Sequence, residues 1–162
     1  MDMALAEAQR VDKVGEVPVG AVLVAQSGQI LARAGNGPIG MCDPTAHAEI
    51  LVLRAGAAAI GNYRLEGCVL VVTLEPCAMC AAALVHARIS GVVYGAVDPR
   101  AGAVVSCGEY LDAPAVGHRV WHMGGVRSLQ CAALLNGFFG RKRDMQKSPA
   151  RMCQEKDSSC WK

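Results

Sequence analysis

The sequence predicts one three-layer α/β/α domain on a mixed sheet, and three observations predict it. Apolar runs of strand length alternate along the chain with segments of helical composition. Their order is helix, hairpin, helix, strand, helix, strand, strand, helix, which supplies five strands flanked by helices. The length, 162 residues, suits a single domain. A chain of that size buries roughly two-thirds of the surface its unfolded form exposes, so it needs no disulfides.

Each element has its own signal. Residues 2–13 are rich in Ala, Leu and Glu, which favour helix. Val17–Ala25 and Gln29–Ala34 are apolar runs joined at Gln26-Ser27-Gly28, the pattern of a β-hairpin. Gly35–Thr45 is broken by Gly and Pro and reads as a loop. Thr45 is placed to cap a helix over Ala46–Ala59 that stops near Gly61-Asn62. Cys68–Leu74 is a β-branched run and reads as a buried strand. Pro76 stands where a first helical residue would, with helix continuing over Ala78–Ala87. Gly91–Val97 is a second buried strand, so the unit from Cys68 to Val97 is expected to be parallel with a right-handed crossover. Residues 98–117 are irregular, His118–Met123 is a short strand, and Val126–Arg143 is a final helix softened at Gly137 and Gly140. The domain is expected over residues 1–143, with residues 144–162 as a basic, flexible tail.

Composition narrows the functional classes. Hydrophobic residues make up 52% and charged residues 19%, which excludes a disordered chain. No stretch approaches the ~20 apolar residues of a membrane span, and Met1-Asp2-Met3-Ala4 leads into no signal-type core, so a cytoplasmic protein is expected. The net charge of +2 conceals an asymmetry, because residues 141–162 hold seven Lys/Arg against three Asp/Glu. That run, starting at Arg141-Lys142-Arg143, is either a solvated tail or a phosphate-contacting element. Of the eight cysteines only Cys77 and Cys80 cluster; Cys42, Cys68, Cys107, Cys131, Cys153 and Cys160 are scattered and read as small fillers or free thiols.

Two motifs carry chemistry. One is His47-Ala48-Glu49; the other, Pro76-Cys77-Ala78-Met79-Cys80, begins 27 residues after Glu49. Each opens an expected helix. Cysteines three apart on a helix share a face, so both sulfurs can reach one ion. The positive end of the helix dipole favours the thiolate that binds metal. One imidazole and two thiolates suit zinc, and three protein ligands leave a fourth position for water, as in a catalytic site. Either motif alone has a plainer reading, a redox pair for the cysteines and a core histidine for His47. His86, His118 and His122 have no paired cysteines and compete poorly. Glu49 could orient the histidine or answer the helix dipole, but a zinc site that activates water also needs a carboxylate to carry its proton.

The H-x-E and P-C-x-x-C arrangement is the general signature of zinc deaminases, those acting on adenosine in tRNA included. From Glu16 to Arg143 the chain resembles the bacterial tRNA-specific adenosine deaminase family of that cytidine-deaminase-like superfamily. The matching segments include Glu16-Val17-Pro18-Val19-Gly20-Ala21-Val22, Asp43-Pro44-Thr45-Ala46-His47-Ala48-Glu49-Ile50, Thr73-Leu74-Glu75-Pro76-Cys77-Ala78-Met79-Cys80 and Leu134-Leu135 with Phe138-Phe139. The resemblance implies a cytidine-deaminase-like fold, one zinc ion per subunit, a homodimer and conversion of adenosine to inosine at the wobble position of an arginine tRNA. It implies attack at C6 by a zinc-activated water, with Glu49 protonating N1 and helping ammonia leave. It also places Asn36 and the Ala48 N–H against the flipped nucleotide, and Asp98, Phe138, Phe139 and Arg141 on the tRNA anticodon loop. Gly37 departs from the pattern, standing where the family often has Arg. The alternatives are a zinc deaminase of a free base or nucleotide, of guanine or cytosine type, and a non-enzymatic zinc-bound subunit. The second would lack the glutamate that Glu49 supplies.

Overall fold

A computed structural model describes residues 1–114 and 116–147. The elements are α1 (Asp2–Asp12), β1 (Gly20–Val24), β2 (Ile30–Gly35), α2 (Ala48–Ile60), β3 (Val69–Leu74), α3 (Ala78–His86), β4 (Gly91–Ala96), a 3₁₀ turn (Tyr110–Asp112), β5 (Trp121–Met123) and α4 (Ser128–Lys147). The five strands lie in the order β2-β1-β3-β4-β5. The hairpin makes β1 antiparallel to β2, and β1 is antiparallel to β3 as well. The crossover through α3 makes β4 parallel to β3, and β5 is parallel to β4. The sheet is therefore mixed, as expected.

Helices cover both faces. α1 and α4 touch each other and pack on one face; α2 and α3 touch each other on the other side, with α2 on β1, β2 and β3. The core between sheet and α2 holds Leu23, Val52, Leu70, Val72 and Val92, all but fully buried. Each such side chain contributes about 1.5–3 kcal/mol by leaving water. Two glycines let the opposite helix layer approach. A Cβ at Gly20 would strike the Ala4 carbonyl, and one at Gly95 would strike the Cys131 sulfur. Buried Cys68 and Cys131 are small core fillers, while Cys42 and Cys107 are exposed free thiols.

Three helix boundaries differ from expectation. α2 starts at Ala48 with His47 as its N-cap, and Thr45 does not cap it, because the Thr45 hydroxyl donates to Asp43 Oδ1 at 2.6 Å. An Asx turn thus outcompetes the cap. α3 has Cys77 as its N-cap, so Pro76 lies before the helix rather than in it. α4 runs on through Lys147, past the expected boundary at Arg143 and through Gly137 and Gly140 without interruption. A mid-helix Gly costs only about 1 kcal/mol, which the packed face of α4 offsets. The expected tail beyond residue 147, with Cys153 and Cys160, lies outside the described residues.

Candidate metal centre and active site

The sheet brings two helix starts together. β3 ends at Leu74, and three residues later the chain turns into α3 at Cys77, whose backbone is extended with φ −73° and ψ 172°. His47 enters α2 in the same way, with φ −70° and ψ 150°. Neither N-cap side chain bonds to its own helix. Both point instead into the space between the helices, where the positive ends of two helix dipoles converge.

His47 Nδ1 lies 3.7 Å from Cys77 Sγ and 3.5 Å from Cys80 Sγ. Tetrahedral zinc with its usual Zn–N and Zn–S bonds requires an N···S separation of about 3.6 Å. The three ligand atoms lie within 4.8 Å of one another and form a metal-sized cluster. Cys80 is fully buried. The donor set therefore fits zinc in both spacing and chemistry.

Hydrogen bonding to Cys80, and then to His47, pulls the Cys77 thiol down to about 4. The hydrogen bond to Cys77 raises His47 in turn. The same sharing with Cys77, followed by burial, pushes Cys80 well above the ordinary thiol value. Two thiols this close to one another and to His47 share their protons, and a divalent ion held between them would favour the ionised form of both.

Glu49 is the second residue of α2, 4% exposed. Burial raises its carboxyl above the ordinary carboxylate value, and it lies against Cys80 and within reach of the His47 charge. A buried carboxyl beside a water-activating position is placed to accept a proton and to return it.

The remaining expected residues fall into two groups. Asn36 is buried and its Oδ1 accepts the Ala48 N–H at 2.9 Å. That bond takes up the Ala48 N–H, which was expected on the base itself, and leaves the Asn36 NH₂ as the donor available to a ligand. The loop behind it is tied down: Gly37 donates to Ala46 O at 3.0 Å, and Gly40 donates to the buried Glu16 at 2.7 Å. A side chain at Gly37 would press on Met41, its Cβ only 3.0 Å from Met41 Sδ, so the missing arginine leaves room that Met41 fills.

Asp98 turns inward on its own loop, its Oδ1 accepting from the N–H groups of Arg100 at 3.0 Å and Ala101 at 3.3 Å. Phe138 is 5% exposed and Phe139 45%, because adjacent helical residues point about 100° apart. Phe138 is thus a packing residue, with Lys142 Nζ 5.4 Å over its ring, and only Phe139 offers a face to solvent. Arg141 Nη2 donates to both Asp12 oxygens, at 2.5 and 2.7 Å, which ties α4 to α1. Arg143, exposed and one turn beyond Phe139, is the arginine that shares its face.

Sequence reasoning passed over Glu75. It is 2% exposed and accepts backbone N–H groups from Asp98 and from residues 104–106. Burial raises its carboxyl, but the Ser106 hydroxyl and the N–H groups of Val105, Asp98 and Ser106 more than offset this and hold it below the usual value. The signal was a charge at the carboxyl end of a buried strand, the position where open α/β sheets place functional groups.

Comparison with known proteins agrees with this geometry. Residues 1–96 match the family described as the cytidine and deoxycytidylate deaminase zinc-binding region. A tRNA-specific adenosine deaminase of Haemophilus influenzae is 44% identical over 147 residues, covering 91% of this chain and 85% of its own length. A solved structure from work on A-to-I editing by tRNA:A34 deaminases superposes with a TM-score of 0.81 at 45% identity, covering 83% of this chain and 97% of that one. A guanine deaminase from Nitrosomonas europaea superposes with a TM-score of 0.73 at 21% identity, covering 85% and 81%, which speaks for the fold alone.

Proposed function

The chain belongs to the tRNA-specific adenosine deaminases, within the cytidine and deoxycytidylate deaminase zinc-binding family, and from that membership we propose how its residues divide the work. The reaction is hydrolytic deamination of adenosine to inosine at the wobble position of a tRNA anticodon. The observation that carries the assignment of residues is the His47, Cys77 and Cys80 cluster with buried Glu49 beside it.

His47, Cys77 and Cys80 would hold one zinc ion per subunit. When bound, zinc would supply an acidified water as nucleophile and leave a position open for it. Glu49 would take a proton from the nucleophilic water and deliver it to N1 of the adenine as the C6–O bond forms. It would then carry the hydroxyl proton of the tetrahedral adduct to the exocyclic amine, so that the C6–N6 bond breaks and ammonia leaves. Asn36 holds the flipped nucleotide by donating from its NH₂ group, and Ala48 contributes by fixing the Asn36 amide. Phe139 stacks on an unstacked base of the anticodon loop while Arg143 meets a phosphate. Asp98 steadies its own loop through Oδ1 and keeps Oδ2 for the anticodon loop.

The arginine tRNA as substrate, the homodimer and the cytoplasmic location belong to the same reading and rest on the family likeness. Among the described residues no helix is long and apolar enough to cross a membrane.

The test is a substrate panel. The anticodon stem-loop of an arginine tRNA, stem-loops of other tRNAs carrying A34, free adenosine, guanine and cytosine are each incubated with the zinc-loaded protein, and inosine and ammonia are scored. Inosine from the arginine stem-loop, without turnover of free bases, is the expected result. Turnover of guanine without turnover of RNA would reassign the substrate.

A further inference from the structure

The Glu75 carboxylate accepts five hydrogen bonds, more than any other side chain among the described residues. Its Oε1 receives the N–H groups of Val104 at 3.1 Å, Val105 at 2.8 Å and Ser106 at 3.0 Å. Its Oε2 receives the Asp98 N–H at 3.0 Å and the Ser106 hydroxyl. All five donors come from residues 98–106. Among the described residues no cationic side chain pairs with it. A buried charge satisfied only by one loop fixes that loop, because every donor withdrawn leaves an acceptor unmet.

The same loop returns to the turn that carries the ligand. The Ala103 N–H donates to Pro76 O at 2.9 Å, and Gly102 forms an isolated bridge with Cys77. Gly102 sits so close to the carboxylate that a Cβ there would strike it, and would also lie 2.7 Å from Asp98 O. Cys77 has no side-chain cap bond to hold it in place. Its backbone is held from outside, by β3 on one side and the loop that Glu75 gathers on the other.

We propose that Glu75 is a positioning residue for the metal centre: by gathering residues 98–106 against the Pro76–Cys77 turn, it fixes the direction in which Cys77 presents its sulfur. The proposal rests on the reading that His47, Cys77 and Cys80 hold zinc. Glu75→Gln keeps the shape but turns an NH₂ group toward N–H donors. Loss of a group that orients a ligand weakens metal binding about 10–100-fold.

The experiment measures the zinc dissociation constant by competition with a chelating dye, and the visible spectrum of the cobalt(II)-loaded protein. Wild type, E75Q, S106A and, as a stability control, V92A are compared under conditions where each is folded. Val92 is a fully buried sheet residue. E75Q is expected to bind zinc about 10–100-fold more weakly and to shift the cobalt–thiolate absorption. S106A, which loses one of the five bonds, is expected to move both readouts the same way by less than about 10-fold, and carries the test if E75Q does not fold. V92A is expected to lose thermal stability with zinc affinity and spectrum unchanged. Wild-type affinity and spectrum in E75Q and S106A would overturn the proposal, as would V92A moving the spectrum equally. A wild-type protein that binds no zinc would instead overturn the reading of the site.

Discussion

The metal cradle and the outer face of α4 solve opposite problems. In the cradle, Glu49, Cys80 and Glu75 are almost wholly buried; Glu49 and Cys80 sit in the first turns of α2 and α3, and the Glu75 carboxylate is held by backbone N–H groups of residues 98–106. On α4, Phe139 and Arg143 lie in solvent. A side chain that does chemistry must be held before substrate arrives, so that no reorganisation is needed during the reaction. A side chain that grips a splayed RNA loop gains its energy only on contact, through stacking and phosphate neutralisation. Loss of a ligand or of Glu49 in the cradle should therefore cost far more activity than loss of a contact on the helix.

The largest expected effect is Cys80→Ala, which leaves two ligands and should remove both bound zinc, read by metal analysis after gel filtration, and detectable inosine formation. If zinc and activity survive, the cradle is not built as described. Next is the contrast between neighbouring phenylalanines. Phe138→Ala should cost about 3 kcal/mol of stability in a denaturant titration, since it empties a buried position. Phe139→Ala should leave stability nearly unchanged and weaken anticodon stem-loop binding by about 1–3 kcal/mol. Equal behaviour of the two would erase the division between core and surface. The smallest effect is Arg143→Ala, expected to flatten the slope of log affinity against log salt by about 1, while Arg141→Ala, already engaged by Asp12, should leave that slope unchanged.

The same contrast explains what was legible in the sequence. The order of elements and the mixed sheet follow from local composition, and the candidate cluster of His47, Cys77 and Cys80 with Glu49 beside it was pointed to by two short motifs at helix starts. Short-range geometry suffices for Cys77 and Cys80, three residues apart at one helix start, while His47, thirty residues before Cys77, was joined to them by the chemistry of its motif. Long-range pairing was not legible. Nothing local says that Arg141 meets Asp12, that the Ala48 N–H is taken by Asn36, or that Glu75 gathers a loop some thirty residues ahead. Boundaries failed where side-chain bonds competed, as at Thr45, or where tertiary packing carried a helix through glycines, as at Gly137 and Gly140. The fate of Phe138 and Phe139 needed the orientation of α4, which its weak amphipathic pattern does not disclose.

Glu49 is where the two regions can be separated most cleanly, because it lies in the cradle yet is not one of the three ligands. The decisive measurement is the zinc-loaded Glu49→Gln variant, assayed for metal content, anticodon stem-loop affinity and single-turnover inosine formation. Full zinc content and near-wild-type RNA affinity, with the rate lowered by about 10²–10⁴-fold, is the predicted result. Inosine formation at the wild-type rate would contradict the account.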